Sequence, residues 1–197
     1  MSEGSGATTD IAALHRQALD ATRPLVAGVG TDQWDLPTPC DGWNVRELLN
    51  HIVAGNLWAA QLAGGRTIDD VGSTLDGDVL GSDPVAAYDA SAAQAAGAFE
   101  APGALDAPCA VSYGPVPGSV YAGHRLIDVL VHGWDLASAT GQSTELDPQM
   151  VAACWDVTRP QLALLQGSGA FGADFFPADA IKEETQATLL SAFGRKP

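Results

Sequence analysis

Asp128 and His132 stand four residues apart within residues 123–137, a stretch that is apolar at most other positions. Four residues complete one helical turn and leave the two side chains about 40° apart on one face. Leu126, Ile127, Val129, Leu130 and Val131 fill most of the remaining circumference, so the predicted helix is covered on most sides. An ionised carboxylate in such surroundings is costly unless a cation or a hydrogen-bond donor meets it. A divalent metal is the sharpest reason for this pair, because one helix face can present both residues to a single ion. A plain Asp–His hydrogen bond or a helix-surface pair satisfies the same spacing. The metal reading therefore needs a third ligand from elsewhere in the chain.

The elements that would supply it follow from caps and periodicity. A first helix is predicted over residues 10–27, capped by Asp10 or Thr9, with His15 read as a surface residue. Residues 28–43 are too rich in Gly, Pro and Asp for a helix, and Trp34 and Trp43 are expected to be largely buried against the body. Asn44 and Glu47 form a capping-box pattern that opens a second helix over 45–62, stopped by Gly64 and Gly65. His51 lies beside its buried side, near Leu48 and Ile52. A loop over 66–82, an alanine-rich helix from Asp83-Pro84 to about Phe99, and a long loop over 101–118 with room for an extended piece at 111–113 come next. Ser119 is expected to cap the fourth helix, which runs to Thr140-Gly141. Asp147-Pro148 opens a fifth helix that Pro160 should kink or end. The last thirty residues, with Phe171, Phe175 and Phe176, read as a tail lying back on the helices.

This order predicts an all-α fold, an antiparallel four-helix bundle with long loops, a fifth helix and a short C-terminal tail. The predicted divisions are a tail at 1–9, the bundle at 10–166 and a C-terminal extension at 167–197. Placed side by side in such a bundle, the second and fourth helices bring His51 to Asp128 and His132. Three ligands and an open position are the composition of a catalytic site rather than a closed structural one. Nitrogen and oxygen donors suit zinc foremost, with nickel or iron also compatible. Cys40, Cys109 and Cys154 are odd in number, with no CxxC spacing. They read as reduced packing residues outside the ligand set. His124 reads as an exposed residue at the start of the fourth helix, and Asp135 as a maker of structural hydrogen bonds.

The net charge of −15, with Lys182 and Lys196 the only lysines, argues against nucleic acid and anionic membrane surfaces as partners. No apolar run is long enough to span a bilayer, and no leader is visible, so a cytoplasmic location is expected. Alanine-rich faces leave room for a homodimer without specifying one.

The motif Thr38-Pro39-Cys40-Asp41-Gly42-Trp43-Asn44-Val45-Arg46-Glu47-Leu48-Leu49-Asn50-His51 and the stretch from Arg125 to Ala137 together resemble the DinB superfamily. Closer still is its actinobacterial branch related to mycothiol-dependent maleylpyruvate isomerase. The closing Gly194-Arg195-Lys196-Pro197 resembles the usual end of that branch. The resemblance implies a metal held by His51, Asp128 and His132, with Asp128 where several relatives carry Glu. It implies mycothiol, a low-molecular-weight thiol, as cosubstrate, and a small-molecule electrophile as substrate. Thiol transfer or thiol-assisted isomerisation is the reaction class, in a pocket shaped by loops near Trp43 and 101–118. The competing expectation is a non-catalytic metal- or small-ligand-binding protein.

Overall fold

Helix starts follow the sequence wherever a side chain can satisfy the first free N–H groups. The computed structural model describes residues 10–162 and 181–197. Asp10 accepts from the N–H of Ala12 and Ala13 to open α1 (Ile11–Ala27). Asn44 and Glu47 bond reciprocally across the first turn of α2 (Val45–Ala63). A single turn, α3 (Ile68–Val71), interrupts the loop predicted at 66–82, capped by Thr67 and Asp70 in the same reciprocal way. Asp83, with Pro84 in the first turn, opens α4 (Pro84–Glu100).

The 101–118 segment departs from the all-α expectation. Strands β1 (Pro108–Val111) and β2 (Gly114–Pro117) form an antiparallel hairpin that pairs Pro108 with Pro117 and Val111 with Gly114. Its prolines argue against strands in a sheet interior, but a two-stranded ribbon has only edges. The hairpin runs directly into α5 (Gly118–Thr140), and Ser119 is not its cap. The N–H of Gly118 donates to Ala107 O at 2.9 Å and that of Ser119 to Leu105 O at 2.8 Å, so the preceding backbone does the capping. Gly141 ends α5 in the left-handed conformation, φ 69°, which glycine adopts without steric penalty. Asp147 and Pro148 open α6 (Pro148–Thr158), which gives way to a 3₁₀ turn at Arg159–Gln161 around Pro160. A last helix, α7 (Gln186–Ala192), was not foreseen, and Phe171, Phe175 and Phe176 lie outside the described residues.

The described residues are therefore mostly helical with one small hairpin. Helix α5 is the centre: α1, α2 and α6 pack on it, and α4 packs on α1 and α2. Its residues are buried around nearly the whole circumference. Gly133 permits a close approach to α1, since a Cβ there would lie 2.8 Å from Thr22 Oγ1. The chain end docks through buried Leu189, Leu190 and Phe193, and Trp155 Nε1 donates to Thr185 O. Among the described residues no helix is long and apolar enough to cross a membrane.

His15 corrects the sequence reading. It is fully buried, not exposed, because it falls on the stripe of α1 that contains Ala12, Leu19, Thr22 and Val26. Its ring stands edge-on to Phe99, with centroids 5.1 Å apart, and among the described residues neither ring nitrogen has a hydrogen-bond partner. Burial first, then the charge of Arg125, lowers its pKa to about 3, so the imidazole is neutral. Trp34 and Trp43 are partly buried, both packed against the core.

Candidate metal centre

Helix α2 contributes His51, and α5 contributes Asp128 and His132 one turn apart. One ligand atom from each lies within 4.8 Å of the others. Asp128 Oδ1 is 3.4 Å from His51 Nε2 and 3.7 Å from His132 Nε2. Bonds of about 2.1 Å to a tetrahedral ion place ligand atoms about 3.4 Å apart, so the donor set fits a divalent metal in spacing and in kind. The two imidazoles meet edge to face at 4.9 Å between centroids.

The other carboxylate oxygen is occupied. Arg125 Nη1 donates to Asp128 Oδ2 at 2.8 Å, and Arg125 Nη2 donates to Asn56 Oδ1 at 3.2 Å. Asn56 in turn donates to Ser91 Oγ, which ties the guanidinium to α4. Gly55 makes room for it: a Cβ there would lie 2.4 Å from Arg125 Nη1. Burial opposes the charge on Asp128, but Arg125, then His132 and His51, outweigh it and hold the carboxyl far below the usual range. Asp128 therefore presents one anionic oxygen toward the two histidines.

Behind His132 lies a second network. His132 Nδ1 is 2.9 Å from Asp135 Oδ2, and the carboxylate acceptor assigns the proton to Nδ1 and leaves Nε2 free to face Asp128. Arg195, near the end of the chain, donates to both Asp135 oxygens at 3.0 and 2.6 Å. Burial opposes the Asp135 charge, but the bonds from His132 and Arg195 prevail and lower its pKa. Cys40 joins this network, donating to Asp135 Oδ2 at 3.1 Å while its sulfur accepts from Arg195 Nη2 at 3.1 Å. Burial, then the charge of Asp135, pushes its thiol up to about 12. Cys40, His132 and Asp135 are thus close enough to hold an ion, yet a cation there would meet the guanidinium of Arg195.

The centre opens past Trp43, whose ring lies 4.7 Å from that of His51 and 6.0 Å from that of His132. The loop before α2 is closed on itself, with Trp43 N donating to Cys40 O and Thr38 N to Trp43 O, so Cys40 and Trp43 arrive together. Beside His51 is a cleft of about 530 Å³ whose far wall is residues 75–78. Asn50 clips that wall to α2 by donating to Gly77 O and accepting from Val79 N. The expected contribution of 101–118 to this pocket is not found in the cleft lining. Its Tyr113 instead bonds His124 Nδ1, whose Nε2 faces Gln161 Oε1 at 2.7 Å. His124 is accordingly half-buried in the second turn of α5, held away from the three donors by its own partners.

The family model of the mycothiol maleylpyruvate isomerase N-terminal domain matches residues 15–137, a span that holds all three donors. The chain belongs to this family. It is 39% identical over 187 residues to an uncharacterised protein of Mycobacterium tuberculosis, found in two strains, covering 91% of this chain and 93% of the relative. Among solved structures it is similar to the mycothiol-dependent maleylpyruvate isomerase, with a TM-score of 0.61, 14% identity, and 84% of this chain and 73% of that one covered. A mutant of the same isomerase gives a TM-score of 0.57 at 15% identity. At these identities the likeness is one of fold.

Within this family member, sequence reasoning brought His51, Asp128 and His132 together but missed three residues around them. Arg125 carried a signal, an arginine three residues before Asp128 in an otherwise apolar helix. Arg195 was noticed only as part of a terminal motif. Cys40 was assigned to packing, whereas Cys109 and Cys154 are buried as packing residues should be.

Proposed function

We propose that the chain is a metal-dependent, thiol-using enzyme: a mycothiol-dependent transferase or isomerase acting on a small electrophile. In this reading the four long helices form an antiparallel four-helix bundle, and His51, Asp128 and His132 hold the ion, zinc foremost, with nickel or iron compatible. The carrying observation is the division of labour at Asp128, with Oδ2 tied to Arg125 and Oδ1 turned to two imidazole Nε2 atoms. An ion bound there supplies a lowered pKa to a thiol in the remaining position. The protein's own residues prepare that position. Asp135 keeps the proton of His132 on Nδ1. Arg125 limits Asp128 to one oxygen, which leaves coordination space open. Trp43 packs against the ring of His51, with centroids 4.7 Å apart.

The test is a titration of cobalt-substituted protein with mycothiol and with a simple thiol. A thiolate charge-transfer band below millimolar mycothiol is expected; no band at millimolar thiol would sink the enzyme reading. One observation favours a second reading, a non-catalytic binding module: Arg125 already neutralises Asp128 without any ion. Purified protein lacking stoichiometric metal, with a Tm unmoved by added zinc, would select it.

A further inference from the structure

The cleft beside His51 has two kinds of wall. Trp43, Ala54 and Leu75 give apolar surface, and Glu47, Asp76 and Asp78 give carboxylates. An anionic substrate needs a free cation or the free N–H groups of a helix start. Among the described residues Arg46 is the single cation of the lining, and its Nη2 is bonded to Asp78 Oδ2 at 2.7 Å and to Gly81 O at 3.1 Å. Among the described residues no cation pairs with Glu47 or Asp76, although Glu47 accepts from Asn44 N. The start of α2, which borders the cleft, is closed as well. Val45 N donates to Leu36 O and Arg46 N to Trp34 O, while Asn44 and Glu47 take each other's N–H groups. Arg125 and Arg195 are committed to Asp128 and Asp135. Residues 1–9 and 163–180 contain no lysine or arginine that could complete the lining. A divalent ion and Arg125, set against Asp128 and one thiolate, leave one surplus positive charge, which Glu47 and Asp76 together outnumber.

We propose that the electrophile of this site is uncharged and carries an apolar or aromatic face, and that carboxylate-bearing electrophiles are disfavoured. The chemistry rests on the metal–thiol reading above; the selectivity rests on the cleft. A compound of this class stacks on Trp43 and Leu75 with its reacting carbon toward His51 and Asp128. In a substitution the thiol sulfur forms a bond to that carbon, the carbon–halogen bond breaks, halide leaves with the electron pair, and the thiol proton passes to solvent.

Matched probes on the full chain decide the matter. Dinitrobenzene and dinitrobenzoate do not react with thiols and differ by one carboxylate. Their binding is read from the indole N–H resonance of Trp43 in isotope-labelled protein, assigned with Trp43→Phe. Dinitrobenzene should bind about tenfold more tightly at low ionic strength, and the gap should shrink as salt screens Glu47 and Asp76. Asp76→Lys should narrow it further. Chlorodinitrobenzene and chlorodinitrobenzoate, with mycothiol and zinc, should show the same order in kcat/KM once each is divided by its uncatalysed rate. Dinitrobenzoate binding as tightly as dinitrobenzene, or neither probe moving Trp43, would overturn the proposal. The binding arm needs neither metal nor thiol, so loss of the cobalt–thiolate band would remove the enzyme reading and still leave the ligand class decided.

Discussion

On the Nδ1 side of the His132 ring, Asp135 is fully buried, and both its oxygens are bonded to Arg195. On the Nε2 side, the Asp128 side chain is 19% exposed, and Arg125 takes only one of its oxygens. Both regions consist of an aspartate and a buried arginine against the same imidazole. They differ in what is left over. Asp135 has no unused acceptor facing a cavity, so it can only hold His132 in place. Asp128 has an oxygen aimed at two nitrogens that are too far away to satisfy it well, at 3.4 and 3.7 Å. A polar pair whose bonds are complete is scaffold; a pair left incomplete beside a cleft is a place for a ligand.

The contrast can be broken most strongly at Arg195. Arg195→Met leaves Asp135 buried without its cation and should cost about 3–5 kcal/mol by urea unfolding. Asp128→Ala should lose bound zinc, measured as metal per chain after dialysis, and leaves the buried Arg125 with its bond to Asn56. Full retention of zinc by Asp128→Ala would mean that both carboxylates do the same work. Asp135→Asn keeps the shape but weakens the acceptor for His132 Nδ1, and should lower zinc affinity by about 10–100-fold in a chelator competition.

A smaller effect comes from His15, outside both networks. Its folded pKa of about 3 lies below its unfolded value of 6.5. The unfolded chain therefore binds one more proton than the native state between these values, and stability falls as pH drops through that window. Between pH 7 and pH 5 the loss should be about 2 kcal/mol, and His15→Leu should abolish that component of the slope. The smallest effect is expected at His124. His124→Ala breaks its bonds to Tyr113 and Gln161 and should cost about 1 kcal/mol with metal content unchanged. Loss of metal in that variant would extend the ligand set beyond the three donors.

The sequence carried most of the helical framework because helix ends are local. Asp10, Asn44 with Glu47, Asp83-Pro84, Gly141 and Asp147-Pro148 each act within a few residues of themselves. The one start that was misassigned, at Ser119, is the one made by distant backbone: Leu105 and Ala107 cap it from across the hairpin. Asp128 and His132 were legible for the same reason as the caps, since one turn of helix fixes their relation. His51 needed only the assumption that α2 faces α5.

What the amino-acid order determined by itself was the set of helices, their caps, and the Asp–His pair on one face of a buried helix. What only the tertiary structure decided was which oxygen of Asp128 is free, that His15 points inward, and that the chain end returns to support His132. Arg195 meets Asp135 across 60 residues of sequence and Cys40 across 155. No local rule relates residues at such separations. Their pairing is settled when the helices pack and a buried carboxylate must find its cation among whatever side chains the fold has brought near.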